Sequence, residues 1–143
     1  MAIYKKLVLA VDGSEVSKSA VKHAVKLAKQ DSATIIAVHV IPPIDVTDIE
    51  TFRPEMVLES LKQEGEQILA EVKEIAEKEG VQVQTRIEDG VPYEKICGVA
   101  EESDADLIVM GSHGRTGIEK VFIGSVTERV ISKVKCCPVL VVK

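Results

Sequence analysis

Five short apolar runs alternate with segments of helical periodicity, and this alternation constrains the fold more than any other feature of the sequence. The runs are rich in β-branched residues and cover residues 3–11, 33–41, 81–87, 106–110 and 139–142. Four of these runs are typical of strands buried in a sheet, whereas residues 81–87 alternate apolar with polar side chains, the period of a half-exposed strand at the sheet edge. Each connection is long enough to hold a helix, so consecutive strands can be parallel. The pattern predicts one α/β domain over residues 1–143, an open five-stranded parallel sheet with helices on both faces.

The helical segments carry recognisable start signals. Ser14, Pro54, Pro92 and Ser125 stand where the four predicted helices begin. Glu128 lies three residues after Ser125 and completes a capping-box pattern, so Ser125 is the predicted N-cap of the fourth helix. Gly65 interrupts the second helix, over residues 54–79, and allows a bend or close packing there. Residues 44–53 form a polar connection without periodicity.

Bulk charge and hydropathy exclude several classes of protein. Among 143 residues, 18 Lys and Arg face 23 Asp and Glu, giving a net charge of -5. This balance disfavours a general surface for nucleic acid or anionic membranes. No apolar run approaches the ~20 residues of a membrane span, and the run 7–11 is shorter than the core of a signal peptide. The chain is therefore expected to be cytoplasmic.

The cysteines and histidines do not form a metal-binding pattern. Cys97, Cys136 and Cys137 contain no CxxC pair, and the chain has three histidines. Small buried thiols are the predicted state of all three cysteines. His39 interrupts an apolar run, and a hydrogen-bonded histidine within the sheet is favoured there over a catalytic one.

A glycine-containing loop follows the fourth strand. The strand stops at Gly111, glycines recur at 114 and 117, and Gly124 and Ser125 precede the last helix. Glycine lets backbone approach a ligand closely, and the first turn of a helix offers unpaired N–H groups. Together these features suit a phosphate group. The alternative is that the glycines only shape a surface loop.

The spacing of these glycines favours the phosphate site. Two residues separate Gly111 from Gly114, and nine separate Gly114 from Gly124 and Ser125. This pattern resembles the nucleotide signature of the ATP-binding branch of the universal stress protein family. The segments KKLVLAVDGSE, HVIPP and CPVLVV also follow that family's order. The resemblance covers nearly the whole chain and is least informative over residues 42–80.

The resemblance implies a strand order of 3-2-1-4-5, which places strands 1 and 4 side by side. Ligands of open α/β sheets bind beyond the carboxyl ends of the strands, where successive connections turn to opposite faces. The turn Asp12-Gly13-Ser14 and the glycine loop would then face the same crevice. The predicted nucleotide-binding residues are Ala10, Val11, Asp12, Val40, Met110, Gly111, Ser112, His113, Gly114, Arg115, Gly124, Ser125, Val126 and Thr127.

Roles within this set follow from chemistry and from the resemblance. Peptide N–H groups of Gly114, Arg115, Gly124 and Ser125 are expected to hold the phosphates, helped by the hydroxyls of Ser125 and Thr127. By resemblance, Ala10, Val11 and Val40 would flank adenine, and Met110 and Gly111 would reach the ribose side. A carboxylate repels a triphosphate, so Asp12 is expected to meet ribose hydroxyls, a base edge or a phosphate-bound Mg²⁺. The alternative role for Asp12 is to cap the first helix.

Three functions remain open at this point. The leading interpretation is a stress-response or signalling module that holds ATP, and the resemblance implies homodimers built on Val139–Val142. The second is a slow ATPase or nucleotidyl transferase that uses the same pocket. The third is a partner protein with a vestigial pocket. The motifs GxxxxGK[ST] and GxGxxG are absent. No catalytic residue is predicted, since a solvated loop histidine is favoured over a water-activating role for His113.

Overall fold

The computed structural model describes residues 2–43, 54–114 and 123–143, in which five parallel strands form one sheet. Numbered by their position in the chain, the strands lie in the order 3-2-1-4-5, so the predicted fold is confirmed. Arg115 and the polar connection 44–53 lie outside the described residues. In chain order the elements are β1 Lys6–Ala10, α1 Glu15–Asp31, β2 Thr34–Ile41, α2 Pro54–Lys78, β3 Val83–Asp89, α3 Pro92–Glu102, β4 Leu107–Gly111, α4 Ser125–Lys133 and β5 Val139–Val142.

The sheet separates two layers of apolar side chains. Leu9 and Val109 pack with α1 and α2 on one face, and Val8 and Ile108 pack with α3 and α4 on the other. All four of these side chains are fully buried. Because side chains alternate along a strand, a central strand with helices on both faces must be apolar throughout. This requirement explains the continuous apolar runs in the sequence.

The chain reverses its direction across the sheet at β1. From β1 it moves outward through α1, β2 and α2 to the edge strand β3, with both helices on one face. It then returns through α3 to β4 on the other side of β1, and α4 leads to the opposite edge, β5. Leu9 pairs with Val109, so the carboxyl ends of β1 and β4 lie next to each other. The crevice of an open α/β sheet lies at such a reversal.

The cysteines depart partly from the prediction of three small buried thiols. Cys97 is buried, but Cys137 is only partly buried and Cys136 is exposed. The Sγ atoms of Cys136 and Cys137 lie 3.5 Å apart. Burial, followed by the hydrogen bond between Cys137 and Cys136, raises the pKa of Cys137 to about 12, which keeps this thiol protonated. Of the helices in the described residues, none is both long and apolar enough to cross a membrane.

Close packing, one of the two roles predicted for Gly65, is confirmed. A Cβ atom at Gly65 would lie 2.6 Å from Cδ2 of the buried His39 ring. We expect Gly65→Ala to lower the free energy of unfolding by about 1–2 kcal/mol, because the overpacking outweighs the better helix propensity of alanine. Chemical denaturation measures this change.

Gly98 provides the matched control for this substitution. It also lies inside a helix, α3, but a Cβ atom there would meet no atom within 4 Å. Gly98→Ala is therefore expected to stabilise the protein by about 0.5–1 kcal/mol. Equal effects of the two substitutions would contradict the contact between Gly65 and His39.

Candidate functional site

The first part of the site is the turn between β1 and α1. Ser14 is the N-cap of α1, and its hydroxyl accepts a hydrogen bond from Ser17 N–H at 3.1 Å. Asp12 does not cap the helix, so that alternative is wrong. Asp12 Oδ1 instead accepts from Ser14 N–H at 2.9 Å, and Gly13 adopts a φ of 83° between them. This local hydrogen bond orients the carboxylate and leaves Oδ2 for other contacts.

The second part is the loop that leaves β4. Gly111 packs against α1, since a Cβ atom there would lie 2.7 Å from Val16 Cγ1. Ser112 N–H donates to Val142 O at 2.7 Å, and Ser112 O accepts from Gly124 N–H at 2.6 Å. These bonds join the two described ends of the glycine loop to each other and to β5. Ser112 is buried, and its hydroxyl lies 3.1 Å from Nδ1 of the half-buried His113.

The start of α4 differs from the predicted capping box. Gly124 is the N-cap, and no side chain within the described ranges caps the helix. Ser125 is the first helical residue, and Glu128 N–H bonds to Gly124 O. A helix that begins at a glycine leaves the amides of its first turn without a side-chain acceptor from the cap. The electrostatic potential at the N-terminus of α4 is therefore set by backbone N–H donors and by the positive end of the helix dipole.

Thr127 anchors α4 to the end of β4. Its side chain is buried, and its hydroxyl donates to Gly111 O at 2.8 Å. A threonine hydroxyl has one proton to donate, so contact with a phosphate through that proton would require this bond to break. Val126 is half-buried and packs toward the α3 and α4 face, whereas Ser125 is exposed.

The two turns meet, as the strand order requires. A Cβ atom at Gly114 would lie 2.7 Å from Asp12 Oδ2. A Cβ atom at Gly124 would lie 3.1 Å from His113 Cα. Turns that are far apart in sequence therefore place a carboxylate oxygen, a bare glycine backbone and a helix start beside one another.

The predicted apolar residues are divided between the two faces of the sheet. Ala10 and Val40 are half-buried against the α3 and α4 layer, at the carboxyl ends of neighbouring strands. Met110 is buried within the same layer. Val11 is buried in the opposite layer, with α1 and α2. Ala10 and Val40 can thus form one exposed apolar surface beside the turns, and the Val11 side chain is directed away from it.

Sequence reasoning left two residues out of the site. His39 Nδ1 lies 2.9 Å from Val11 O, and Asp12 N–H donates to Ser17 Oγ at 3.1 Å. The histidine interrupts an apolar run in the sequence, and its predicted hydrogen-bonded state is confirmed. Nothing in the periodicity of α1 distinguishes Ser17 from the other polar residues of that helix.

These features define an open parallel α/β protein in which two glycine-containing turns face each other beyond its central strands. The chain belongs to the universal stress protein family, whose family model matches residues 3–143. It is 45% identical to universal stress protein MJ0531 of Methanocaldococcus jannaschii over 145 residues, covering 99% of this chain and 83% of that protein.

Solved structures agree with this assignment. The structure of MJ0577, also from Methanocaldococcus jannaschii, matches with a TM-score of 0.87 at 35% identity and covers 99% of this chain and 97% of that one. A universal stress protein crystallised with cAMP matches with a TM-score of 0.77 at 28% identity, covering 99% of both chains. One from Archaeoglobus fulgidus crystallised with dAMP matches with a TM-score of 0.71 at 26% identity, again covering 99% of both.

Proposed function

We propose that this protein is a cytoplasmic ATP-binding module whose nucleotide occupies the crevice between the Asp12 turn and the glycine loop. The observation that carries the proposal is the contact of Gly114 with Asp12 beside the glycine that begins α4. Relatives of the same fold hold cAMP and dAMP, which supports an adenine nucleotide as the ligand.

The phosphates would be held by peptide groups. The amides of Gly114 and Ser125 stand where backbone donors and the helix dipole favour an anion. The Gly124 N–H, also predicted to hold phosphate, already donates to Ser112 O at 2.6 Å and could reach a phosphate only if that bond broke. Arg115, which lies outside the described residues, would add a positive charge. The half-buried pair Ala10 and Val40 would contact the base, since their exposed apolar surface suits an adenine face.

Asp12 would act at the ribose or at a phosphate-bound Mg²⁺. Its Oδ1 is engaged by Ser14 N–H, and its Oδ2 faces Gly114. Carboxylate oxygen is a ligand that Mg²⁺ prefers, so this residue fits the ion. Within the described ranges no three potential ligand side chains converge on a metal site. Mg²⁺ would therefore be held mainly by the phosphates. There it would neutralise part of their negative charge, which otherwise repels the Asp12 carboxylate.

Equilibrium binding followed by product analysis tests this function. Isothermal titration of the purified chain with ATP, AMP, cAMP and GTP, with and without Mg²⁺, is expected to give saturable binding of adenine nucleotides and weaker binding of GTP. Failure to bind any adenine nucleotide would refute the proposal. Release of phosphate or AMP from bound ATP over many turnovers would instead favour the ATPase or the nucleotidyl transferase.

We further propose that the module is a homodimer joined through β5. This strand lies at the edge of the sheet, and its residues Val139, Leu140 and Val141 are only partly buried. Pro138 O accepts from Ile108 N–H of β4, and Val142 O accepts from Ser112 N–H of the loop. Backbone groups alternate in direction along a strand, so those of the alternate residues Val139 and Val141 point away from the sheet. An apolar edge of this kind favours pairing with a second strand. Partner proteins would recognise the ATP-bound state through the dimer.

Val141→Pro tests the dimer. Val141 is one of the alternate residues, so proline removes an outward N–H without deleting a bond to β4. We expect the dimer dissociation constant to rise at least about tenfold, since each subunit of a symmetric pair loses one intermolecular bond, two in all, and the ring disturbs the edge. Analytical ultracentrifugation over a range of concentrations measures it. Val141→Thr, which keeps the amide and the branched shape, should dimerise normally, and a monomeric wild-type chain would refute the proposal.

A further inference from the structure

The peptide group that joins Val11 to Asp12 is held from both sides by buried side chains. Its carbonyl oxygen lies 2.9 Å from His39 Nδ1, and its N–H donates to Ser17 Oγ at 3.1 Å. His39 is 9% exposed and Ser17 4% exposed, so water competes weakly for either bond. Two hydrogen bonds at opposite ends of one planar group fix its orientation. This is the peptide from which the Asp12 turn departs.

The partner of His39 determines its tautomer. A carbonyl oxygen can only accept a hydrogen bond, so Nδ1 of the ring must carry a proton. The ring also rests against Gly65 of α2, where a Cβ atom would lie 2.6 Å from Cδ2. A larger residue at 65 would clash with the ring and disturb its position against the carbonyl. The glycine in the middle of α2 therefore leaves the space in which His39 reaches Val11.

His39 also ends the ladder between β1 and β2. Val11 N–H donates to Val38 O at 2.9 Å, and in a regular parallel ladder the Val11 carbonyl would next accept from Val40 N–H. Among the backbone bonds of the described residues, that bond is absent and the imidazole takes its place. The first strand can then turn away from its neighbour at Asp12.

The fixed peptide sets the direction of the Asp12 carboxylate. Oδ1 accepts from Ser14 N–H at 2.9 Å, Ser14 Oγ accepts from Ser17 N–H at 3.1 Å, and Oδ2 is left facing Gly114. We propose that His39 and Ser17 are positioning residues that hold the Val11–Asp12 peptide, and through it the Asp12 carboxylate, in the geometry required for nucleotide binding. This inference rests on the proposed function and adds residues that do not touch the ligand.

Two amide substitutions test the role of His39. The amide nitrogen of asparagine occupies nearly the position of Nδ1, whereas that of glutamine lies near Nε2. His39→Asn is expected to bind ATP within about threefold of wild type, and His39→Gln about tenfold more weakly, by isothermal titration. Ser17→Ala should resemble His39→Gln. Equal affinity of the asparagine and glutamine variants, with both folded, would overturn the proposal.

A second measurement separates positioning from general damage to the fold. In long-range proton–nitrogen NMR spectra, the His39 ring of the wild-type chain should carry its proton on Nδ1, and a proton on Nε2 alone would refute the assignment. The Asp12 amide resonance should shift in His39→Gln and stay near its wild-type position in His39→Asn. The exposed His23 provides a control, since His23→Gln removes an imidazole without touching the turn.

The two proposals fail in different ways. If the wild-type chain binds no adenine nucleotide, the proposed function is lost, while the ring tautomer and the Asp12 amide still decide whether His39 holds the peptide. If the wild-type chain binds and His39→Gln binds equally well, the proposed function stands and the positioning role is refuted.

Discussion

Gly114→Val is expected to lower the affinity for ATP by at least about 100-fold while the protein remains folded. A Cβ atom at this position would lie 2.7 Å from Asp12 Oδ2, which is closer than a real contact permits. The obstructing atom ends a short side chain, so the carboxylate can move and the core is not disturbed. The same movement displaces Asp12 from the crevice and fills the space above the Gly114 amide. Isothermal titration and a thermal unfolding curve measure the two quantities.

Gly98→Val is the control for this substitution. The same isopropyl group is added, but the Cβ atom at Gly98 meets no atom of the described residues within 4 Å, and Gly98 belongs to α3 and to neither turn. Its affinity for ATP should equal that of the wild-type chain. Wild-type affinity in Gly114→Val would contradict a site in which the peptide backbone closely approaches the phosphates.

Gly124→Val is expected to have a comparable effect on affinity, again at least about 100-fold. Gly124 is the N-cap of α4, and its N–H donates to Ser112 O at 2.6 Å. An added Cβ atom would lie 3.1 Å from His113 Cα and 3.4 Å from its Cβ, so the backbone itself must move. That movement separates the helix amides from the loop amides that would share the phosphates. Fluorescence competition with a labelled ATP analogue gives the affinity.

Ser125→Ala distinguishes backbone from side-chain recognition at this corner. Ser125 is the first residue of α4, and removing its exposed hydroxyl leaves the amide in place. A loss of about threefold to tenfold is expected, corresponding to one hydrogen bond of about 1 kcal/mol. A loss as large as that of Gly124→Val would mean that side chains, rather than peptide groups, hold the phosphates.

The fold could be predicted because it depends on periodicity. The alternation of apolar runs with helical segments determines which elements form. A short, continuously apolar segment such as Leu107–Gly111 is compatible with few structures other than a buried strand. Strand order is a different matter, because any of several orders would bury the same residues. The order 3-2-1-4-5 came from the family resemblance, and without it the meeting of the two turns could not have been predicted.

The incorrect predictions concern details that depend on contacts between neighbouring elements. By periodicity Ile75 and Ile131 belong to the apolar faces of α2 and α4, yet each is 45% exposed. Ala76 and Val130 beside them are fully buried, so the buried stripe of each helix is narrower than its apolar pattern. The N-cap of α4 is Gly124 and not Ser125, because Gly124 has an extended backbone and its carbonyl accepts the first helical bond from Glu128 N–H, while its own N–H pairs with Ser112 O. That bond spans the glycine loop, and no local pattern reveals it.

The site was predicted in part for a related reason. Asp12 and Gly114 carry signals that can be read locally, a turn after a strand and a glycine in a phosphate-type spacing. The contribution of His39 depends on which ring nitrogen faces the Val11 carbonyl and on the absence of a side chain at Gly65. Both conditions join residues from different elements, so they become visible only in three dimensions.

The bond from Ser112 N–H to Val142 O has a thermodynamic consequence for the proposed module. One residue ends the edge strand and also fastens the loop that would surround the phosphates. A second subunit that fixes this edge would also fix Ser112, so part of the ordering that nucleotide binding requires at Ser112 would already have taken place. Linkage makes such an effect reciprocal. If the dimer binds ATP more tightly than the monomer does, ATP should raise the affinity of self-association by the same factor.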